Sequence, residues 1–337
     1  MKRYALALLI VLLSLSNQVY ASSWLDLDIF ERDDGNYFTL QTKDGEVITM
    51  TARILDIGDS YIDAKNNRYE VVGFDGDIVQ VELKEQITLP DINEWLTTQA
   101  AKENTGNKWN TIGIYHTHNA ESYVPTSGVD SEIEGGDIME VGKTLANALK
   151  EQGFEVIWSD NSHLPHDGQA YTRSRRTVME LLQHQPATLI DVHRDATPPE
   201  VYETEIEGVP TTKVRIVVGR QNQNREANLE YAKRLKAVAD QEYPGIIEGI
   251  FDARGNYNQD IGPRIILLEF GAHTNPLEMA EQAAEFFAKV IPAAAGITKE
   301  DTAQDNVGFA SARSIVWILA IVAVLGIGFI FLNRQRI

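Results

Sequence analysis

The chain of 337 residues contains no cysteine. This absence excludes a disulfide scaffold, a cysteine-ligated zinc site and catalysis by a thiol. Basic residues are also scarce: 30 Lys and Arg stand against 49 Asp and Glu, giving a formal net charge of −19. Because this charge would repel nucleic-acid phosphates at long range, we expect no nucleic-acid partner. Hydrophobic residues still make up 43% of the chain, which excludes wholesale disorder and allows about two domains.

The N-terminus has the composition of an export signal. Lys2 and Arg3 precede an apolar run over residues 4–15, and a small residue, Ala21, closes a short polar end. These are the parts of a secretory signal peptide, which we predict over residues 1–21 with cleavage after Ala21. An uncleaved anchor helix is the alternative, although the apolar run is short for a membrane span.

The C-terminus has the composition of a membrane span. Residues 314–332 carry no charge, and at about 1.5 Å per residue they approach the ~30 Å thickness of the hydrocarbon layer. Arg334 and Arg336 follow, so the positive-inside rule predicts a cytoplasmic tail over residues 333–337. The sequence therefore predicts a cell-membrane protein with a single transmembrane helix and its catalytic domain outside the cytoplasm.

Two patterns divide the body between these ends. Residues 22–99 contain short alternating β-branched segments separated by turn residues, which predicts a small β-rich module. A polar linker follows at 100–108. From 109 to 297, strands of Ile, Val and Leu alternate with amphipathic helices, which predicts an α/β catalytic domain with a mostly parallel sheet and helices on both faces. A second linker, 298–313, leads to the apolar C-terminal helix.

Three predicted strands of this domain end in residues suited to metal chemistry. His116, His118 and Glu121 follow the first strand, and His193 ends the third. Glu269 ends the last strand. In open α/β sheets the ligands bind outside the carboxyl ends of the strands, so these side chains should converge on one edge.

The convergent set has the composition of a catalytic zinc site, which needs three N or O ligands and one open position. His118 and Glu121 form a His-x-x-Glu pair, and His193 completes the set. Bound Zn²⁺ lowers the pKa of a water molecule to about 7. Glu269 is then placed to accept its proton and deliver it to a leaving amine. His116 is predicted as a second catalytic residue beside the metal, with the first-ligand position in place of His118 as its alternative.

Other polar residues near these strand ends have two interpretations each. Arg194 and Asp195 act at the site or form an ion pair that orients the His193 loop, while His273 lines the site or lies exposed. His163 and His166 occupy a polar loop typical of surface or substrate contacts, rather than of a second metal site. No Gly-x-Ser-x-Gly elbow and no phosphate loop with its lysine occur, which excludes the common serine-hydrolase and nucleotide-binding motifs.

These motifs resemble the stage II sporulation protein P family, in order and in approximate spacing. The likeness runs from about residue 110 to 291, and the segments that carry it are 114–123, 190–195, 217–219, 257–260 and 267–271. The resemblance implies a Zn²⁺-dependent N-acetylmuramoyl-L-alanine amidase that degrades peptidoglycan, with a fold similar to other zinc amidases. It also implies a second, endopeptidase activity on peptide cross-links. A role in septal wall thinning and engulfment during sporulation is implied too, with a lytic transglycosylase of the stage II D type and membrane proteins as partners.

Two features depart from the family pattern, where an N-terminal anchor is usual. Here the clear apolar helix is C-terminal, and the β module is not required for amidase activity, so a vegetative wall function stays open. The sequence favours a membrane-tethered zinc amidase. A zinc endopeptidase or carboxypeptidase is the alternative enzyme, with Arg194 or Arg220 as the group that would recognise a terminal carboxylate. A catalytically silent wall-binding scaffold is the third possibility, although every proposed ligand and Glu269 is present.

Overall fold

The structure is a computed structural model, and it describes residues 31–32, 34–103 and 111–297. The predicted signal peptide, the second linker, the apolar segment 314–332 and the tail lie outside these residues. Within the described ranges, no helix is long and apolar enough to cross a membrane. The longest of them, Leu277–Ala295, carries Glu278, Glu281, Glu285 and Lys289, which the hydrocarbon layer does not tolerate. The prediction of a single-pass membrane localisation is corrected on this finding.

Thirteen strands and six α-helices make up the described part of the chain. The strands are β1 (Phe38–Thr42), β2 (Val47–Thr51), β3 (Ser60–Asp63), β4 (Asn67–Asp75), β5 (Ile78–Gln86), β6 (Thr111–Tyr115), β7 (Glu155–Trp158), β8 (Thr188–Asp195), β9 (Glu203–Ile206), β10 (Val209–Thr212), β11 (Val214–Gly219), β12 (Ile247–Ala253) and β13 (Ile265–Ala272). The helices are α1 (Ile92–Glu103), α2 (Val124–Ser127), α3 (Ile138–Glu151), α4 (Ala170–Leu182), α5 (Arg225–Glu242) and α6 (Leu277–Ala295), and a 3-10 turn covers Pro199–Val201.

Eleven of the strands form one sheet, in the order β2-β1-β5-β4-β3-β12-β11-β13-β8-β6-β7. Strands β13, β8, β6 and β7 are parallel to one another, as are β11 with β12 and β1 with β5. The pairs β1–β2, β4–β5, β3–β4, β3–β12 and β11–β13 are antiparallel. The prediction of a mostly parallel sheet is therefore wrong, and the sheet is mixed.

Two structural causes explain the difference. The connection from β12 to β13 contains no helix, so β13 does not return by a helical crossover and lies antiparallel to β11. In addition, β3 pairs with the outer edge of β12, between Ser60–Asp63 and Gly249–Asp252. The predicted β module is thus not a separate body preceding the α/β domain, because its strands β1–β5 continue the same sheet.

Alternating side chains build a core on each face of the sheet. In β13, Ile266, Leu268 and Phe270 pack into the larger core, which contains the buried faces of α3, α5 and α6. The intervening Ile265 and Leu267 pack on the opposite face, where α4 lies. This two-residue period puts Glu269 on the same face as Ile265 and Leu267, towards α4.

A buried charge network joins the N-terminal strands to the rest of the sheet. The guanidinium of Arg215, on β11, is 1% exposed; it donates to Asp195 at the end of β8 and to Glu248 Oε2 on β12 at 2.6 Å. It also donates to Thr49 Oγ1 at 2.8 Å and to the carbonyl of Met50 at 2.9 Å, both on β2. One cation therefore holds two buried carboxylates and the β2 strand together.

Replacing Arg215 by Met should lower the free energy of unfolding by about 3–5 kcal/mol, because Asp195 and Glu248 would remain buried without their cation. Urea denaturation followed by circular dichroism measures this loss. Arg68→Met is the matched control: its partner Glu85 is exposed, so we expect a loss of at most about 1 kcal/mol. Equal losses in the two variants would contradict the role of the network.

Candidate active site

Three neighbouring parallel strands bring the predicted site residues to one edge of the sheet. Strand β8 lies between β6 and β13, and His193 on β8 is directly opposite Glu269 on β13. The loop that leaves β6 carries His118 and Glu121 back over this edge. The convergence expected from the strand ends is therefore present in the structure.

Glu121 is the centre of the cluster. Its Oε1 lies 3.2 Å from Nδ1 of His118 and 3.2 Å from Nδ1 of His193. Its Oε2 accepts a hydrogen bond of 3.0 Å from the backbone N–H of Arg194. All three side chains are buried or nearly so. Both imidazole nitrogens therefore lie within hydrogen-bond distance of the same carboxylate oxygen.

The electrostatics of the cluster favour a cation. Burial alone would lower the pKa of His193, but the carboxylates of Asp191 and Glu121 outweigh it and raise that pKa well above its usual range. Burial would likewise raise the pKa of Glu121, yet His193 and His118 hold it well below its usual range. His193 Nε2 also lies 3.0 Å from Asp191 Oδ1. A carboxylate behind a ligating imidazole is a common support in metal sites.

Two further groups lie beside the cluster: Glu31, which no sequence pattern indicated, and His166, which was assigned to surface or substrate contacts rather than to a metal site. Glu31 and His166 have ligand atoms that, together with those of His118 and Glu121, all lie within 4.8 Å of one another. The rings of His118 and His166 are 4.4 Å apart between centroids. A second candidate ligand set thus overlaps the predicted one, with His118 and Glu121 common to both.

His116 has other partners. Its Nδ1 donates to the carbonyl of Val192 at 3.2 Å, and its Nε2 accepts from the indole N–H of Trp158 at 3.1 Å. A Cβ on Gly142 would lie 2.2 Å from His116 Nε2, so only glycine lets α3 approach this ring. His163 in turn binds the carbonyl of His116 through Nδ1 at 2.7 Å. These two histidines support the loop that carries His118, and neither lines the cleft.

Glu269 lies deep in the site, 1% exposed. Its Oε1 accepts a hydrogen bond of 2.6 Å from the Arg53 guanidinium, and its Oε2 is buried with no hydrogen-bond partner in the described part of the chain. Burial raises the pKa of Glu269 to about 8, although Arg53 acts in the opposite direction. No sequence pattern indicated Arg53, because it follows β2 and is far from the catalytic motifs along the chain.

Of the remaining candidate residues, some support loops of the site and others line its cavity. Arg194 donates to the carbonyls of Ser122 and Asp130 at 3.3 and 2.8 Å, which fixes the loop after Glu121. Asp195 forms its ion pair with Arg215 rather than with Arg194. His273 is partly exposed, and its buried Nδ1 has no hydrogen-bond partner among the described residues. Together with Glu31, His118, His166 and Arg194 it lines a cavity of about 520 Å³.

A buried imidazole–carboxylate–imidazole cluster beside a carboxylate with one unpartnered oxygen, at the strand ends of an α/β sheet, is typical of metal-dependent hydrolases. The chain belongs to the family described as stage II sporulation protein P, whose model matches residues 57–292. The resemblance inferred from the sequence motifs is thereby confirmed.

A curated relative supports the same assignment. The chain is 33% identical over 208 residues to stage II sporulation protein P of Bacillus subtilis (strain 168). The aligned region covers 56% of this chain and 52% of the relative, so the chain matches about half the length of that protein.

Solved structures with some likeness to this chain include two amidases. N-acetylmuramoyl-L-alanine amidase AmiC2 of Nostoc punctiforme is 16% identical with a TM-score of 0.37, over 57% of this chain and 97% of that one. The CwlD amidase of Clostridioides difficile, solved in complex with the GerS lipoprotein, is 16% identical with a TM-score of 0.39, over 57% and 96% of the two chains. Scores this low do not by themselves establish a common fold.

In the metal-free protein, the His116 ring should stay neutral well below neutral pH, because burial lowers its pKa from 6.5 to about 4. In the unfolded chain His116 binds a proton near pH 6.5, whereas in the folded chain it binds one only near pH 4. This group therefore makes the free energy of unfolding fall as the pH drops between these values. Side-chain NMR of the histidine rings measures the titration directly. A titration midpoint of His116 near pH 6.5 would contradict the burial of the ring between Val192 and Trp158.

Proposed function

We propose that this protein is a zinc-dependent N-acetylmuramoyl-L-alanine amidase, which hydrolyses the amide between N-acetylmuramic acid and L-alanine in peptidoglycan. The observation that carries the proposal is the convergence of His118 Nδ1, Glu121 Oε1 and His193 Nδ1 beside the unpartnered Oε2 of Glu269. Membership of the stage II sporulation protein P family supports peptidoglycan as the substrate.

The donor set suits zinc better than a hard cation. Two imidazole nitrogens and one carboxylate oxygen are typical ligands of catalytic Zn²⁺, whereas Mg²⁺ and Ca²⁺ prefer oxygen alone. When bound, Zn²⁺ polarises the scissile carbonyl and lowers the pKa of water. His118, Glu121 and His193 would hold it, with Asp191 supporting His193 from behind.

Glu269 would act as the general base and then as the general acid. Its Oε2 takes a proton from the attacking water, and the same oxygen delivers that proton to the nitrogen of the leaving amine as the C–N bond breaks. This cycle needs an ionised carboxylate at the start. A cation on the neighbouring ligands would lower the pKa of Glu269 below the value of about 8 that burial causes.

The contacts of the candidate arginines favour an amidase over a carboxypeptidase, which needs a cation for the terminal carboxylate of its substrate. Arg194 donates through Nε and one terminal nitrogen to backbone carbonyls, so its guanidinium supports the loop. Arg220 forms an ion pair of 2.9 Å with Asp59 and is not among the residues that line the cleft.

The family name also suggests when the enzyme acts. We propose a role in thinning the septal wall during sporulation, together with a lytic transglycosylase of the stage II D type that would cut the glycan strands. A vegetative wall function is the alternative. Loss of engulfment in a deletion strain with normal vegetative growth would favour sporulation.

Replacing His193 by Ala should abolish stoichiometric zinc binding, because only two of the three protein ligands would remain. Metal analysis of the purified full-length protein by inductively coupled plasma mass spectrometry gives the zinc content. His184→Ala, in an exposed residue beyond α4, is the control and should keep its zinc. Full zinc in His193→Ala but not in His166→Ala would instead favour the overlapping set with Glu31 and His166.

Glu269→Gln should retain zinc but lower kcat by about 10²–10⁴-fold, because the side-chain amide of glutamine cannot accept the proton of the attacking water. The assay is digestion of intact sacculi followed by mass spectrometry. Release of stem peptides that begin with L-alanine indicates an amidase, whereas shortened or uncrosslinked stems indicate a peptidase. Glu82→Gln, an exposed carboxylate on β5, is the control. Normal turnover by Glu269→Gln with zinc bound would remove Glu269 from the mechanism.

A further inference from the structure

Arg53 reaches the buried carboxylate of Glu269 from the N-terminal strands. It follows β2, and its backbone forms an antiparallel bridge with Glu31. The preceding Ala52 donates its N–H to Asp195 Oδ1 at 3.4 Å, and its carbonyl accepts from the N–H of Arg32 at 2.9 Å. These contacts place residues 52–53 against the end of β8, next to the strand ends that carry His193 and Glu269.

The side chain of Arg53 is buried and is held from several sides. One terminal nitrogen donates to Glu269 Oε1 at 2.6 Å, and the other donates to the hydroxyl of Tyr257 at 2.9 Å. The guanidinium lies 5.0 Å from the centre of the Tyr257 ring, and Glu31 is 3.6 Å away. A planar guanidinium with two directed bonds and an aromatic contact has little freedom to turn. Arg53 therefore offers Glu269 a fixed partner.

The contact with Arg53 gives the two oxygens of the Glu269 carboxylate different surroundings. Oε1 is engaged by Arg53, whereas Oε2 is buried and has no hydrogen-bond partner in the part of the chain that the structure describes. Rotation of the carboxylate would break the bond to Arg53 and leave a buried guanidinium without its closest carboxylate. The unengaged oxygen is thus kept in one orientation, on the strand beside His193.

We propose that Arg53 is a positioning residue for Glu269: it holds Oε1 so that Oε2 is presented to the reacting water and amide. The inference rests on the proposed hydrolase function of Glu269. Arg53 lies outside the region matched by the family model, which begins at residue 57. The N-terminal strands are therefore part of the catalytic unit in this chain, since they supply the group that orients the base.

The test uses the full-length protein with Arg53→Met and Arg53→Lys. Arg53→Met should keep zinc and KM but lower kcat roughly 10–100-fold, as loss of a supporting partner around a metal site commonly does. Arg53→Lys should recover part of kcat, because an ammonium can reach one partner but not both. Arg225→Met is the matched control: it also removes a guanidinium from a buried carboxylate, Asp252, but outside the cleft, so its kcat should be normal.

Crystal structures of the wild type and Arg53→Met give a readout that does not depend on activity. Glu269 should turn away from the cleft in the variant. An unmoved Glu269, or a kcat equal to or above that of the wild type, would overturn the proposal. If the wild type cleaves no amide in sacculi while Glu269 still turns in Arg53→Met, the proposed function fails and the positioning contact stands. Should Arg53→Met not fold, Arg53→Lys decides, and an unchanged kcat in that variant would overturn the proposal.

Discussion

The burial of the Arg215 guanidinium is the constraint on which the architecture of the cleft depends. A charge removed from water must be paired, and the partners of Arg215 lie on β2, β8 and β12. Its guanidinium also packs 4.9 Å from the ring of Tyr202 and 5.1 Å from that of Phe251. This set of contacts fixes β2 against the end of β8. Because Arg53 comes directly after β2, the same constraint brings Arg53 to Glu269.

The two buried arginines have different consequences. Arg215 neutralises Asp195 and Glu248, which lie in the core and have no free oxygen directed at the cleft in this arrangement. Arg53 engages only one oxygen of Glu269 and leaves the other without a partner. Unpartnered polar atoms are costly inside a protein, and a fold usually retains them where they serve a function.

The motif residues illustrate how far local sequence could lead. His118 and Glu121 follow β6, while His193 and Glu269 lie in the last four residues of β8 and β13, and these three strands are parallel neighbours. His116 and His118 could not be separated by spacing alone. Their surroundings differ in the structure: Trp158 and Val192 engage both nitrogens of the His116 ring, whereas Nε2 of His118 is buried without a hydrogen-bond partner among the described residues. His163 and His166 differ in the same way, one turned into the fold and the other towards the ring of His118.

The sequence by itself determined the family, the alternation of strands and helices after residue 109, and the residues that gather at the strand ends. All of these follow from motifs and from periodicities of two to four residues. Only the tertiary structure decided the direction of β13, the fusion of β1–β5 with the main sheet, the contact of Arg53 with Glu269, and the presence of Glu31 in the cleft. The physical reason is distance along the chain: Arg53 and Glu269 are 216 residues apart, and pairing at that separation is settled by which edges and buried charges find partners.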